Sequence, residues 1–200
     1  MQLLEFTGLS RRYGAQWALS GASGILNAGE IVALQGENGS GKSTLLLTLA
    51  GILKPHLGRA QLAAGVRCHL VAHHPMAYTA LSVLRNLELA AALQTGAATD
   101  LTPAMTYWQI GHLAAKPVAS LSRGQMQRFL LARAMLAAEK VLLLDEPFTG
   151  LDSNGEKLLS DFIDSEARRG VGIFFSDHDV RRARSLAQRF IRMSEGRCLP

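Results

Sequence analysis

The stretch that decides the fold lies near the N-terminus: Glu30-Ile31-Val32-Ala33-Leu34-Gln35-Gly36-Glu37-Asn38-Gly39-Ser40-Gly41-Lys42-Ser43-Thr44. Its first six residues form a short, nearly continuous apolar run, the pattern of a parallel strand covered on both faces. Ser43 to Ile52 reads as a helix. Between the two, Gly36 to Ser43 spells G-x-x-x-x-G-K-S, a pattern that acquires meaning only after a strand and at the opening of a helix. Glycines let successive backbone N–H groups curl into a nest around a phosphate, and the helix N-terminus adds the positive end of its dipole. The expected phosphate site runs from Gly36 through Glu37, Asn38, Gly39, Ser40 and Gly41 to Lys42, Ser43 and Thr44. Lys42 is expected to reach the β- and γ-phosphates of ATP, and Ser43 to ligate Mg²⁺.

Working outward, Val141–Leu144 and Val171–Phe175 repeat the apolar strand pattern, and Asn154–Arg168 and Val180–Gln188 follow them with helical patterns. Strands alternating with helices predict an α/β fold around a mostly parallel sheet. The region from about residue 72 to residue 138 differs. It holds a Leu/Ala-rich helix over Val83–Leu93 and a Gly/Thr/Pro-bearing connector over Thr95–Pro103, and it is expected to be a helical subdomain inserted into the sheet core. The expectation is thus one domain over residues 1–200, with its core at 1–71 and 139–200.

The strand at Val141 ends on two acids, Asp145 and Glu146. A carboxylate at a strand end is the second Mg²⁺ element of such folds, so Asp145 is expected to hold Mg²⁺ directly or through water. Glu146, one residue further, can face the γ-phosphate and polarise an attacking water as general base. A strand-end acid pair facing solvent is the plainer reading of the dipeptide alone, and the phosphate loop argues against it.

The chain has 200 residues, 48% of them hydrophobic and 18% charged, which fits one domain able to bury a core. Cys68 and Cys198 lie far apart with no Cys/His cluster, so free thiols are expected rather than a zinc site or a disulfide. No apolar run approaches the roughly 18 residues that span a bilayer, and Met1–Glu5 has no secretory character, so a cytoplasmic chain is expected. A net charge of +5 is compatible with an acidic partner, but solvated arginine faces are common, and no specific nucleic acid is expected.

Leu121-Ser122-Arg123-Gly124-Gln125 resembles the L-S-G-G-Q signature of ATP-binding cassette (ABC) proteins and stands before the Val141 strand, where that family carries it. Ser122 with Gln125 three residues on is in its own right a capping box opening a helix. Three more positions match in order: Tyr13 resembles the family's adenine-stacking aromatic, Asp152 its D-loop acid and His178 its switch histidine. Taken singly these read as an edge tyrosine, a helix N-cap and a loop histidine. The resemblance spans about residues 3–197. It implies a P-loop ATPase with a RecA-like sheet core, a small antiparallel N-terminal β part, and catalytic roles for Lys42, Glu146 and His178. It also implies a head-to-tail homodimer in which Ser122, Gly124, Gln125 and Asp152 reach the partner's ATP. Where the family's Q-loop glutamine contacts Mg²⁺ and the attacking water, this chain has His73, the remaining candidate metal contact.

The chain ends soon after Gly196-Arg197, so no C-terminal regulatory domain and no fused membrane domain is expected; an integral membrane permease is the implied partner, with this chain peripheral on the cytoplasmic face of the bacterial inner membrane. Val71-Ala72-His73-His74-Pro75, Leu81–Leu87 and Asp145–Asp152 resemble the ATPases of the bacterial cytochrome c maturation (haem exporter) system, which would add haem-handling membrane proteins as partners. Ala72, Met76 and Arg85 depart from that pattern. His69, His73 and His74 are read as structural rather than as haem ligands. Alternatives are another ABC exporter or a soluble cassette ATPase of iron–sulfur cluster assembly. A P-loop kinase would leave Leu121–Gln125 unexplained.

Overall fold

The computed structural model describes residues 1–73, 75–95 and 99–199, so His74 and part of the connector expected over Thr95–Pro103 lie outside the described residues. The chain divides into two compact units. The first comprises Met1–His73, Glu139–Pro147 and Phe162–Pro200, and the second His74–Ala138 and Phe148–Asp161.

The first unit carries two sheets. β1 (Gln2–Tyr13) and β2 (Gln16–Asn27) form an antiparallel hairpin, extended on the other side of β1 by antiparallel β4 (Leu57–Leu62). The six-stranded sheet has the order β5-β6-β7-β3-β8-β9. Its strands are β3 (Ile31–Gln35), β5 (Cys68–Val71), β6 (Val141–Leu144), β7 (Gly172–Ser176), β8 (Arg189–Ser194) and β9 (Arg197–Leu199). All pairings are parallel except β8 with β9. β6 and β7 are buried at every position, as expected of central parallel strands covered on both faces. Leu4, Phe6 and Leu26 of the hairpin share one apolar cluster with Val32, Leu34, Leu143 and Phe174 of the parallel sheet. Burying each such side chain stabilises the fold by about 1.5–3 kcal/mol.

Two helices of this unit follow strands: α1 (Lys42–Leu49) after β3 and α6 (Val180–Leu186) after β7. The Asp179 carboxylate caps α6, accepting from the N–H groups of Arg181 and Arg182. α6 stops two residues short of the expected Gln188, because the backbone turns extended at Ala187 to enter β8. α1 likewise stops before Ile52.

The second unit holds α2 (Val83–Thr95), α3 (Thr102–Tyr107) and α4 (Arg123–Ala137). α3 opens inside the expected connector, with Pro103 in its first turn, where the missing N–H costs nothing. Buried Asn86 pins the entry to α2: its Oδ1 accepts from the Tyr78 N–H, and its Nδ2 donates to the Tyr78, Leu81 and Ser82 carbonyls. Arg133 of α4 donates to the Met76 carbonyl and lies over the Phe129 ring.

α5 (Ser153–Arg168) begins in the second unit and ends in the first. Residues 148–161, expected in the sheet core, cluster instead with the helices. The Tyr107 hydroxyl donates to the Leu158 carbonyl, and Arg128 pairs with Asp152 at 2.7 Å. Both ties are to residues far along the chain, which a local pattern does not reveal.

Candidate nucleotide site

The loop from Gly36 to Gly41 joins β3 to α1, and its shape is imposed from outside. Gly41, the N-cap of α1, has φ +104, and a Cβ there would lie 2.3 Å from the Ala18 carbonyl oxygen of β2. From the other side the Gly196 N–H donates to the Ser40 carbonyl at 3.0 Å, and the Ser20 N–H donates to the Gly196 carbonyl at 2.8 Å. The loop is therefore braced between the hairpin strand β2 and the β8–β9 turn. Lys42 is 5% exposed, and its Nζ donates to the carbonyls of Gly36 at 2.7 Å and Glu37 at 2.9 Å. Burial pushes its pKa below the ordinary lysine value, while the carboxylates of Glu146 and Asp145 pull the other way.

A cavity of about 330 Å³ opens beside this loop, walled by Tyr13, Trp17, Asn38, Lys42, Ser43 and Glu146. Gly39, Gly41 and Thr44 also line it. That volume is at the lower end of small-ligand sites, and the pairing of aromatic faces with backbone donors and one ammonium suits a base attached to phosphates.

The acid pair is held by a residue that sequence reading passed over. Ser176, fully buried at the end of β7, accepts from the Glu146 N–H at 2.8 Å and donates to Asp145 Oδ1 at 2.8 Å. Glu146 has φ +49, a left-handed conformation that costs a non-glycine residue about 1–3 kcal/mol. That turn sends the two neighbouring carboxylates to different places: Asp145 is 5% exposed, whereas Glu146 lines the cavity. His178 Nε2 lies 2.6 Å from Glu146 Oε1. Ser176→Ala is expected to lower ATP turnover about tenfold and stability by about 1–3 kcal/mol, because it leaves a buried carboxylate oxygen and a backbone N–H without their partner. Turnover and urea denaturation measured on one preparation check both effects.

Ser122, Gly124, Gln125 and Asp152 form their own group within the second unit. The capping box is complete: the Gln125 N–H donates to Ser122 Oγ at 3.3 Å, and the Ser122 N–H donates to Gln125 Oε1 at 3.1 Å. A Cβ on Gly124 would lie 2.6 Å from the Gly150 carbonyl oxygen, so the signature turn packs on the loop that precedes α5. The Gly155 N–H and the Arg128 guanidinium hold the Asp152 carboxyl below the usual carboxylate range.

Among the expected site residues of the first unit, Tyr13, the phosphate loop and Glu146 share one cavity, and His178 joins through Glu146. His73 does not line that cavity; it is exposed, two residues beyond β5. Ser176 and Trp17 were missed. A serine closing an otherwise apolar strand two residues before His178 is the local signal for the first; the second sits opposite Arg12 in the β1–β2 hairpin, whose register the sequence does not display.

A glycine loop between a parallel strand and a helix, with the second acid of a strand-end pair lining the same cavity, defines a nucleoside-triphosphate-binding P-loop domain. A family model described as ABC transporter matches residues 19–149, and the chain belongs to that family. Zinc import ATP-binding proteins are among its relatives. That of Paramagnetospirillum magneticum is 36% identical over 182 residues, covering 90% of this chain and 69% of the relative. That of Roseobacter denitrificans is 34% identical over 194 residues, covering 96% and 75%. A solved ATP-binding subunit of an ABC transporter superposes with a TM-score of 0.89 at 28% identity, covering 98% of this chain and 88% of that one. A dimeric ATP-binding cassette in a post-hydrolysis state with ADP and Pi gives 0.89 at 23% identity, covering 99% and 97%, and shows the shared fold. The chain is an ATP-binding, ATP-hydrolysing subunit of an ABC transporter. The finer expectation of a cytochrome c maturation ATPase finds no support in these relatives, which are named for zinc import.

Proposed function

We propose that the two units act together as one ATPase domain, working as a head-to-tail homodimer that binds Mg²⁺-ATP and drives a membrane permease. The observation that carries this reading is the Glu146 carboxylate, turned into the cavity by its left-handed backbone and touched by His178 at 2.6 Å. Lys42 and the loop N–H groups bind the β- and γ-phosphates, Tyr13 stacks on the base, and Glu146 accepts the proton of a water attacking the γ-phosphate. His178 orients that carboxylate.

The donor set suits Mg²⁺. Ser43 lines the cavity and Asp145 lies close enough to oppose the lowering of the Lys42 pKa by burial, so the oxygens of these two residues would hold the ion with phosphate oxygens and water, as Mg²⁺ prefers. The ion would neutralise charge on the phosphate oxygens.

In the same reading Ser122, Gly124, Gln125 and Asp152 complete the partner's site, using the N-terminus of α4 against the γ-phosphate. Ser122→Arg is expected to reduce turnover by about 10²-fold or more while leaving nucleotide binding within about twofold. Equal loss of binding and turnover in a paired titration and ATPase assay would place the signature elsewhere.

No described helix is long and apolar enough to cross a membrane, so the membrane component is assigned to the permease. Met76, Tyr78, Leu81 and Leu84 expose apolar surface at 48%, 62%, 38% and 37%, a surface suited to a permease helix on the cytoplasmic side. Two cargo readings follow from different observations. The segments His73–Pro75, Leu81–Leu87 and Asp145–Asp152 support cytochrome c maturation with haem-handling partners. Identity of 34–36% to zinc import ATP-binding proteins supports a zinc importer. Purification of the ATP-loaded complex from native membranes separates them: haem absorption in a co-purifying permease complex selects the first, and ATP-dependent zinc uptake by the reconstituted complex the second.

A further inference from the structure

α3 ends in a backbone arrangement that ordinarily calls for glycine. The Gln109 N–H bonds to the Thr106 carbonyl at 3.0 Å and the Ile110 N–H to the Met105 carbonyl at 2.9 Å, the two bonds of a Schellman cap. The residue after the C-cap must then be left-handed, and here it is Gln109, with φ +58. A long side chain in that conformation is a local liability that glycine would remove.

The side chain spans what glycine cannot. Gln109 Oε1 accepts from Arg128 Nη1 at 3.0 Å and from Asn154 Nδ2 at 3.1 Å. Arg128 Nη1 also reaches the Trp108 carbonyl at 3.4 Å, and its Nη2 pairs with Asp152 Oδ1 at 2.7 Å. The same Asp152 oxygen accepts from the Gly155 N–H at 2.8 Å at the start of α5. One amide oxygen therefore joins the end of α3, the helix that begins at the signature turn, and the first turn of α5. The Arg128 side chain is only 12% exposed whereas Asp152 is 69% exposed, so the ion pair itself is screened, and the guanidinium is fixed chiefly by its packing and its several acceptors.

We infer that Gln109 is a positioning residue for ATP hydrolysis, holding Arg128 and through it the Asp152 loop in register with the Ser122–Gln125 turn. This rests on the reading that those two elements complete the partner's ATP site. A small misplacement of either would reduce the chemical step without touching the phosphate loop of the same chain. Gln109→Gly deletes the side chain and relieves the backbone, whereas Gln109→Glu keeps a carboxylate oxygen able to accept from both Arg128 and Asn154.

The full-length chain and both variants are compared by melting temperature, by affinity for a fluorescent ATP analogue and by steady-state ATPase kinetics. Gln109→Gly is expected to melt no lower than the wild type, to bind nucleotide within about twofold, and to lose about tenfold in kcat with KM little changed. Gln109→Glu is expected to keep kcat within about twofold. A glycine variant with wild-type kcat overturns the inference, as does equal loss of kcat in the two variants. Loss of nucleotide binding together with turnover in the glycine variant overturns it too, because the side chain would then be holding the fold. Ser122→Arg run in parallel tests the underlying reading: retained turnover in that variant sinks the reading, and the inference with it, whereas its loss beside an unaffected Gln109→Gly sinks the inference alone.

Discussion

Replacement of Glu146 by glutamine lowers steady-state ATP turnover by about 10²–10⁴-fold, the range that a positioned general base supplies. The substitution is nearly isosteric, and the backbone N–H at position 146 keeps its bond to Ser176 Oγ. What changes is the side-chain group that faces the cavity and meets His178 at 2.6 Å, because an amide does not accept a proton from water. Binding through Lys42 and the loop survives, so the variant is expected to accumulate as an ATP-bound dimer. Gel filtration with ATP and Mg²⁺ reads this directly. A monomer with ATP under conditions that saturate the site would remove the head-to-tail arrangement, and wild-type turnover would remove Glu146 as the base.

Gly41→Ala acts on the other half of the site and is expected to abolish measurable ATP binding. The added Cβ would stand 2.3 Å from the Ala18 carbonyl oxygen, a backbone atom in the β1–β2 hairpin that cannot swing aside as a side chain would. The φ of +104 adds strain of its own. Strain and overpacking of about 1–3 kcal/mol each sum to about 2–6 kcal/mol, set against the loop conformation that binds phosphate. Gly39→Ala is the contrast, since nothing lies within 4 Å of its Cβ position and only the backbone term remains. Nucleotide titration and thermal melting of the two variants should show the larger loss in both quantities for Gly41→Ala. Equal losses would mean that the contact with β2 does not shape the loop.

How much was legible beforehand varies by element. β6 is found where its apolar run placed it, and β3 and β7 are found within one residue of theirs, because a central parallel strand carries its own signal. The Ser122–Gln125 box was readable because its two hydrogen bonds close within three residues. β8 and β9 were less so: β8 alternates exposed and buried positions instead of forming an apolar run, and β9 has three residues, none of them buried. Residues 148–161 cluster with the helices, a grouping their local pattern did not show, since Leu158 is tied to Tyr107 and Asp152 to Arg128. The cytochrome c maturation expectation rested on a few motif positions, whereas the relatives named for zinc import match along 90% and 96% of the chain.

By itself the sequence determined the α/β class, the phosphate loop, the acid pair and the signature turn. Each is written in residues close together in the chain, where periodicity, a cap or a glycine spacing is enough. Only the tertiary structure decided what those parts touch. It set Glu146 against His178 across 32 residues, clamped Asp145 and Glu146 to Ser176, and closed Gln109 onto Arg128 and Asn154. The reason is geometric: such contacts depend on which strands become neighbours in the sheet and which helices pack together, and no local pattern carries that information.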